Sequence, residues 1–222
     1  FVKGLYKSFR IPRKLMLDIT WRGLPLLFNE TLWAGGMAVL SQCYSTRGYD
    51  VVSAVNITST IMNVFNVSFI AMGLSIGIII GQLLGAGKYE EAAEADRKLI
   101  AFSLLICIIA AVIMAAVSPF FPQIYKTSES IRNLASQLIL IAAVLLPINA
   151  FAASCYFTLR SGGKVWITLL FDSVYVWLIP IPTAFILSRF TTVPIATLYF
   201  ICLFLEIGKC FIGVYLLKKK VW

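Results

Sequence analysis

Long apolar runs separated by short polar turns constrain the fold of this chain more than any other feature of its sequence. The clearest run, residues 99–117, contains no charged side chain. Because a helix rises about 1.5 Å per residue, about 20 apolar residues cross a hydrocarbon core of about 30 Å. The runs are continuous rather than alternating, so they predict transmembrane helices and not the strands of a membrane barrel.

Six such runs predict an all-α integral membrane domain. We expect a basic segment at residues 1–22, a transmembrane lobe at 23–217 and a short tail at 218–222. The predicted spans of the lobe cover residues 23–46, 51–84, 99–117, 131–159, 165–187 and 193–217. The second span is longer than a bilayer requires, so it should tilt, kink or project. We expect the fifth to break near Pro180 and Pro182.

The composition agrees with a membrane location and argues against several soluble classes. Hydrophobic residues make up 60% of the chain and charged residues 13%, with a mean hydropathy of +0.90. The net charge of +9 comes from short basic clusters between the apolar runs. Because no single basic face is formed, we expect no nucleic-acid binding. The sequence lacks histidine and has no metal-ligand spacing, so we expect neither a metal site nor a cofactor.

The distribution of basic residues predicts the orientation. Fourteen lysines and arginines fall on one side of the predicted spans and four on the other, with Lys209 inside the last span. Because basic residues concentrate in cytoplasmic loops, both termini of this chain should be cytoplasmic. An even number of spans requires the same, and we expect a multi-pass protein of the cytoplasmic membrane.

Three acidic residues lie within predicted spans, where a central charge costs about 2.5–3.5 kcal/mol on insertion scales. Glu30 has no basic residue three or four positions away, so we interpret it as a site that exchanges a proton or holds a cation. A fixed hydrogen bond is the structural alternative. Glu206 is three residues from Lys209, which favours a mutually neutralising pair. Asp172 has no helix-spaced partner and is either a hydrogen-bond hub or part of an ion path.

The second span carries two patterns at helical spacing. Polar residues recur along one face, at Asn56, Ser59, Asn63 and Asn66. Such a stripe faces a cavity or another helix, and the sequence does not choose between these two. Glycines recur at every fourth position, at Gly73, Gly77, Gly81 and Gly85. We interpret these glycines as a surface for close helix packing. The chain shows no nucleophile–base pair or phosphate loop, so we do not expect an enzyme.

Several short segments together resemble one known family. In chain order they are Gly23-Leu24-Pro25, Asn29 to Trp33, Gly81 to Gly87, Leu159 to Gly163, Asp172 with Trp177 and Pro180 to Pro182, and Glu206 with Lys209. Their order and spacing are similar to the carboxy-terminal half of multidrug and toxic compound extrusion (MATE) transporters. The segments run along nearly the whole chain.

This resemblance implies a transporter of twelve helices in two six-helix lobes. The chain would be the second lobe, residues 1–22 the cytoplasmic inter-lobe linker, and an amino-terminal lobe of the same polypeptide its partner. Members of the family export drugs and organic cations in exchange for protons or sodium. Glu30 matches their acidic residue implicated in cation coupling. Sodium-type members carry an aspartate in the fourth span of this lobe, where this chain has Asn149, which favours protons or a site in the other lobe.

The sequence therefore predicts an antiporter lobe that works by alternating access. Glu30 is the expected coupling residue, with Asp172 as a weaker candidate. The expected substrate cavity is formed by Trp33, Met37, Asn63 and Asn66. One alternative keeps the fold but carries lipid-linked saccharides, and that flippase should show more basic residues in its cavity. A non-transporting membrane scaffold or an enzyme subunit is the alternative from a different class.

Overall fold

The computed structural model describes residues 12–220, apart from the side chain of residue 22. The first half of the predicted basic linker and the last two residues of the predicted tail lie outside these described residues. From Arg13 onward the linker is helical and continues without a break into the first long helix. Residues 13–22 therefore form the first turns of that helix.

The described residues form helices and connecting turns, with no β-strand between residues 12 and 220. In chain order the elements are α1 (Arg13–Ser45), α2 (Tyr49–Gly85), α3 (Tyr89–Val117), a 3₁₀ turn (Phe121–Ile124), α4 (Glu129–Ser161), α5 (Val165–Leu169), a π-helical turn (Leu170–Val174), α6 (Tyr175–Leu178), α7 (Pro180–Phe190), α8 (Ile195–Phe204) and α9 (Ile207–Lys218). The all-α membrane fold predicted from the sequence is confirmed.

Five helical segments of the described chain are long and apolar enough to cross a membrane. They are α2, α3, α4, the combined segment Val165–Phe190 and the combined segment Ile195–Lys218. The first predicted span, residues 23–46, lies in α1, which has 33 residues but is not among the five. Asn29 and Glu30 lie near the middle of α1 and lower its hydropathy, so its polar centre distinguishes it from the other spans.

Helix α4 lies at the centre of the bundle. It contacts α2, α3, α8 and α9. Alanines such as Ala135, Ala142 and Ala150 are fully buried on it, and their small side chains let neighbouring helices approach closely. Pro147 lies inside α4, yet the helix continues to Ser161. One apolar face of α3 remains exposed, as expected of a surface that meets lipid; it includes Phe102, Leu105, Ile108 and Val112.

The glycine row of α2 approaches α4 tightly at Gly73 alone. A Cβ atom added to Gly73 would lie 2.2 Å from Cδ2 of Phe157, so this glycine is required by close packing. A Cβ atom on Gly81 would make an ordinary contact of 3.9 Å with Cβ of Ser161. Gly77 and Gly85 face open space. Close packing is therefore present at Gly73, and for Gly77 and Gly85 the packing role remains a prediction. Fourth-position residues drift about 40° per step around a helix of 3.6 residues per turn, so the row leaves the contact face.

Two of the crossings are interrupted. The fifth contains the π-helical turn and then a break at Ile179, immediately before α7. The predicted break near Pro180 is thus present, whereas Pro182 lies in the first turn of α7, where proline is tolerated. The last crossing is interrupted at Leu205 and Glu206, between α8 and α9. Neither the π-helical turn nor this second break was predicted from the sequence.

Candidate functional site

A cavity of about 650 Å³ opens between α1, α2, α4 and the two interrupted crossings. Its wall includes all four residues predicted to form the substrate cavity: Trp33, Met37, Asn63 and Asn66. Ser59 of the polar stripe also lines it, whereas Asn56 does not. The stripe therefore faces the cavity along most of its length. The substrate-binding role of these residues remains a prediction.

The wall of the cavity is mainly apolar. Aromatic and thioether side chains contribute to it, among them Met62, Phe69 and Phe157 together with Trp33 and Met37. A smaller number of polar and charged groups interrupts this surface. An apolar wall with a few convergent polar groups is typical of sites that bind small organic molecules.

Glu30 lies on α1 with its side chain 53% exposed. Nη1 of Arg160 lies 3.6 Å from Oε1 of Glu30, and the hydroxyl of Tyr156 donates a hydrogen bond of 3.3 Å to the same oxygen. The sequence-based expectation that Glu30 is unpaired is therefore wrong. Both partners lie on α4, and a search at helical spacing along α1 does not find them.

Asn29 contacts the tyrosine that is bonded to Glu30. Its side chain is almost fully buried, and its amide nitrogen donates to the Tyr156 hydroxyl at 3.2 Å. The Ser173 hydroxyl lies 2.8 Å from both the side-chain and backbone oxygens of Asn29. Asn29 thus connects the π-helical turn to the tyrosine that contacts Glu30. Sequence reasoning missed Asn29 and Tyr156 as site residues, since only their position across helices reveals the connection.

A second charged group lies at the two helix interruptions. Nζ of Lys209 is 2.9 Å from Oδ1 of Asp172 and 3.1 Å from Oε2 of Glu206. The lysine side chain is 5% exposed and the two carboxylates 19% and 17%. The predicted pair of Glu206 and Lys209 is present. Asp172, for which no helix-spaced partner was found, shares the same ammonium, because its partner is contributed by α9.

Tyr175 supports the interruption between α8 and α9. Its hydroxyl donates a 2.5 Å hydrogen bond to the backbone oxygen of Leu205. A Cβ atom on Gly208 would lie 2.1 Å from that hydroxyl, so the tyrosine reaches the break only because residue 208 has no side chain. The break therefore keeps its carbonyl group paired, and Glu206 is presented at a helix end.

The charged residues that line the cavity are Glu30, Asp172 and Glu206, with negative charge, and Arg160 and Lys209, with positive charge. With every group ionised they sum to one surplus negative charge. A concave surface with surplus negative charge raises the local concentration of cations. Combined with the apolar wall, this charge suits an amphipathic cation. Within residues 12–220 no group of three histidine, cysteine, aspartate or glutamate side chains could hold a metal ion.

A multi-pass helical membrane domain that surrounds a charged, amphipathic cavity has the architecture of a membrane transporter. The family model described as MatE matches residues 25–186, more than half of the chain. The chain therefore belongs to the MATE family of transporters.

Curated relatives carry names of the same kind. The chain is 23% identical over 189 residues to "Probable multidrug resistance protein NorM" of Halalkalibacterium halodurans, covering 83% of this chain and 40% of the relative. It is 21% identical over 199 residues to "Probable multidrug resistance protein YoeA" of Bacillus subtilis, covering 88% and 42%. The chain thus spans about two fifths of the length of these relatives.

Solved structures agree with the fold. A MATE protein crystallised with the compound MaL6 matches with a TM-score of 0.84 at 16% identity, over 96% of this chain and 48% of the other. An outward-facing multidrug resistance MATE transporter of the MOP superfamily matches with the same TM-score, over 97% and 49%. At this identity the likeness establishes the fold alone. The matches correspond to one lobe, since the chain spans about half of each structure.

Proposed function

We propose that this chain is the carboxy-terminal lobe of a secondary active antiporter. It exports drugs and organic cations in exchange for protons or sodium, by alternating access. The observation that supports this most is the apolar cavity with one surplus negative charge, which Glu30 lines. Such a surface binds the hydrophobic body of an amphipathic cation and balances its charge.

Glu30 is the proposed coupling residue. Its carboxylate is half exposed, so a proton or a sodium ion can reach it from the cavity. An exposed ion pair such as that with Arg160 contributes about 0–1 kcal/mol, which an incoming cation can overcome. Once Glu30 is neutralised, Arg160 loses its partner, and the contact between α1 and α4 weakens. This exchange would link ion binding to a movement of the two helices.

The proposed partner is an amino-terminal lobe of the same polypeptide. The relatives are more than twice as long as the matched segment, which supports a second lobe of similar size. The substrate would then lie between the two lobes, where transporters with repeated halves bind their cargo. Both termini of this chain would be cytoplasmic, since basic residues concentrate on that side of a membrane protein.

A flippase for lipid-linked saccharides is the second candidate, and the structure bears on it. That function predicts basic residues in the cavity, and Arg160 and Lys209 do line it. Each is paired with a carboxylate, however, so neither adds a free positive charge. An anionic pyrophosphate or phosphate group would meet surplus negative charge. The cavity therefore favours cationic cargo.

The proposal is tested by Glu30→Gln in the complete transporter, reconstituted in liposomes. Dye efflux is measured under an imposed proton gradient and, separately, a sodium gradient. We expect the variant to lose ion-driven efflux while its insertion into the membrane is unchanged. Glu94→Gln is the matched control, because Glu94 is an exposed carboxylate of α3 paired with Lys98, away from the cavity. Efflux at the unsubstituted rate in Glu30→Gln would refute the proposed coupling role.

A further inference from the structure

We propose that Lys209 is a specificity-determining residue. Held between Asp172 and Glu206, its ammonium fixes the charge of the cavity so that the site selects substrates with one positive charge. The inference rests on the proposed function to the extent that substrate enters this cavity. It adds a role to a lysine that the sequence suggested only as a structural partner of Glu206.

The geometry separates the lysine from the ligand while leaving its charge in the site. The ammonium lies within 3.1 Å of both carboxylates and is almost fully buried. The carboxylates are three to four times more exposed than the lysine. A ligand in the cavity therefore contacts the oxygens of Asp172 and Glu206 directly. The ammonium of Lys209 acts on that ligand only electrostatically.

Three features favour retention of this charge. Burial of an ammonium ion is costly unless it is paired, and here two carboxylates accept from it. The ring of Tyr175 adds a further favourable contact, with its centroid 5.6 Å from Nζ. Without the lysine, two partly buried carboxylates would face each other uncompensated. Lys209 is thus a permanent, tethered counter-cation.

The charge balance of the cavity then sets the preferred ligand. The five charged residues of the wall carry one surplus negative charge, which a monocation neutralises. A dication would leave one positive charge in a largely apolar site, where an unbalanced charge is costly. Loss of the lysine charge would raise the surplus to two and reverse the preference. The preference for one charge over two therefore depends on the charge of Lys209.

A purely structural lysine would give a different result. It would only join the fifth and sixth crossings, and its replacement would weaken all ligands alike. Methionine has a similar length and no charge, and buried ion pairs often tolerate apolar replacement when the remaining charges are also balanced. The variant pair Lys209→Met and Lys209→Met/Glu206→Gln therefore separates the two roles. The first leaves a surplus of two negative charges, and the second restores a surplus of one.

The experiment measures equilibrium binding of ethidium, a monocation, and methyl viologen, a dication, to the purified complete transporter. We expect Lys209→Met to shift the ratio of the two Kd values by at least about tenfold toward methyl viologen. We expect the double variant to return that ratio to the original value. Lys98→Met is the matched control, since Lys98 is an exposed lysine on α3, and its ratio should stay unchanged.

Glu206→Gln provides an independent measurement if Lys209→Met does not fold. It keeps the contact between Lys209 and Asp172 and removes the surplus charge, so ethidium should bind about tenfold more weakly. An unchanged Kd ratio in Lys209→Met, or an unchanged ethidium Kd in Glu206→Gln, would overturn the inference. The inference would also be overturned if the unsubstituted protein bound neither ethidium nor methyl viologen. If the unsubstituted transporter binds both probes but shows no ion-driven efflux, the result counts against the proposed function alone.

Discussion

The guanidinium of Arg160 lies 3.6 Å from the carboxylate of Glu30, which joins the last turns of α4 to the centre of α1 across the cavity. Both side chains are partly exposed, at 35% and 53%, so solvent and ions can reach the pair. Tyr156, one helical turn before Arg160, contacts the same carboxylate oxygen. Glu30 is thus held by two side chains of one helix, and each of them can be removed separately.

Arg160→Gln should make the proposed coupling ion bind more tightly. Arginine competes with the ion for Glu30, and an exposed pair of this kind is worth about 0–1 kcal/mol. We therefore expect the ion concentration for half-maximal efflux to fall by up to about fivefold, since about 1.4 kcal/mol corresponds to tenfold. The measurement is a titration of the driving ion in liposomes.

Arg189→Gln is the matched control for this change. Arg189 lies on α7 over the ring of Phe185 and does not line the cavity. Its replacement should leave the ion titration where it was. A higher half-maximal concentration in Arg160→Gln would show that arginine assists ion binding, which contradicts the competition described here.

Asn29→Ala should destabilise the protein. The change leaves the Tyr156 hydroxyl without its donor and the Ser173 hydroxyl without its side-chain acceptor. Each hydroxyl keeps one other partner, so the cost is that of the lost hydrogen bonds, about 0.5–1.5 kcal/mol each. We expect a lower midpoint of thermal unfolding in detergent. Asn56→Ala is the control, because Asn56 is exposed and lies outside the cavity wall. Equal midpoints for the two variants would show that the Asn29 contacts contribute little.

Gly73→Ala and Gly77→Ala form a matched pair on α2. The added methyl group at Gly73 would lie 2.2 Å from the Phe157 ring, whereas at Gly77 it meets open space. Overpacking of this kind costs about 1–3 kcal/mol. Thermal unfolding should therefore begin at a lower temperature in Gly73→Ala and be unchanged or raised in Gly77→Ala. A similar loss in both variants would mean that the glycines act through flexibility and not through packing.

Features that depend on local sequence could be predicted. The helical membrane fold, the polar turns and the break at Pro180 follow from apolar run length and proline chemistry, which act within a few residues. The pair of Glu206 and Lys209 was likewise visible, since its members are three residues apart on one chain segment. The cavity residues Asn63 and Asn66 were suggested by helical spacing along α2.

Features that depend on contacts between helices could not be predicted from the sequence. The partners of Glu30 and the lysine shared by Asp172 are contributed by other helices, and spacing along one helix contains no information on them. The interruption at Glu206 has no proline nearby to signal it. It is stabilised by a tyrosine hydroxyl from a distant segment and by the space that Gly208 leaves. The same reason applies to the glycine row, since spacing alone does not show that a neighbour approaches Gly73 and not Gly77.

Gly208→Ala should disturb the interruption between α8 and α9. The new methyl group would lie 2.1 Å from the Tyr175 hydroxyl, so the tyrosine must move away from the Leu205 carbonyl. We expect a loss of about 1–3 kcal/mol from overpacking, read as a lower midpoint of thermal unfolding. Tyr175→Phe, which removes only the hydrogen bond, should cost about 0.5–1.5 kcal/mol.

The double variant Tyr175→Phe/Gly208→Ala tests whether these two effects share one cause. Removal of the hydroxyl takes away the nearest clashing atom, and the next ring atom would lie 3.1 Å from the methyl group. If the clash with the hydroxyl causes the loss, the double variant should have nearly the same unfolding midpoint as Tyr175→Phe. Its midpoint should then lie well above the value expected if the two single losses added. Additive losses would mean that Gly208 is needed for the backbone turn itself. In that case the hydrogen bond of Tyr175 would be a consequence of the break and would not stabilise it.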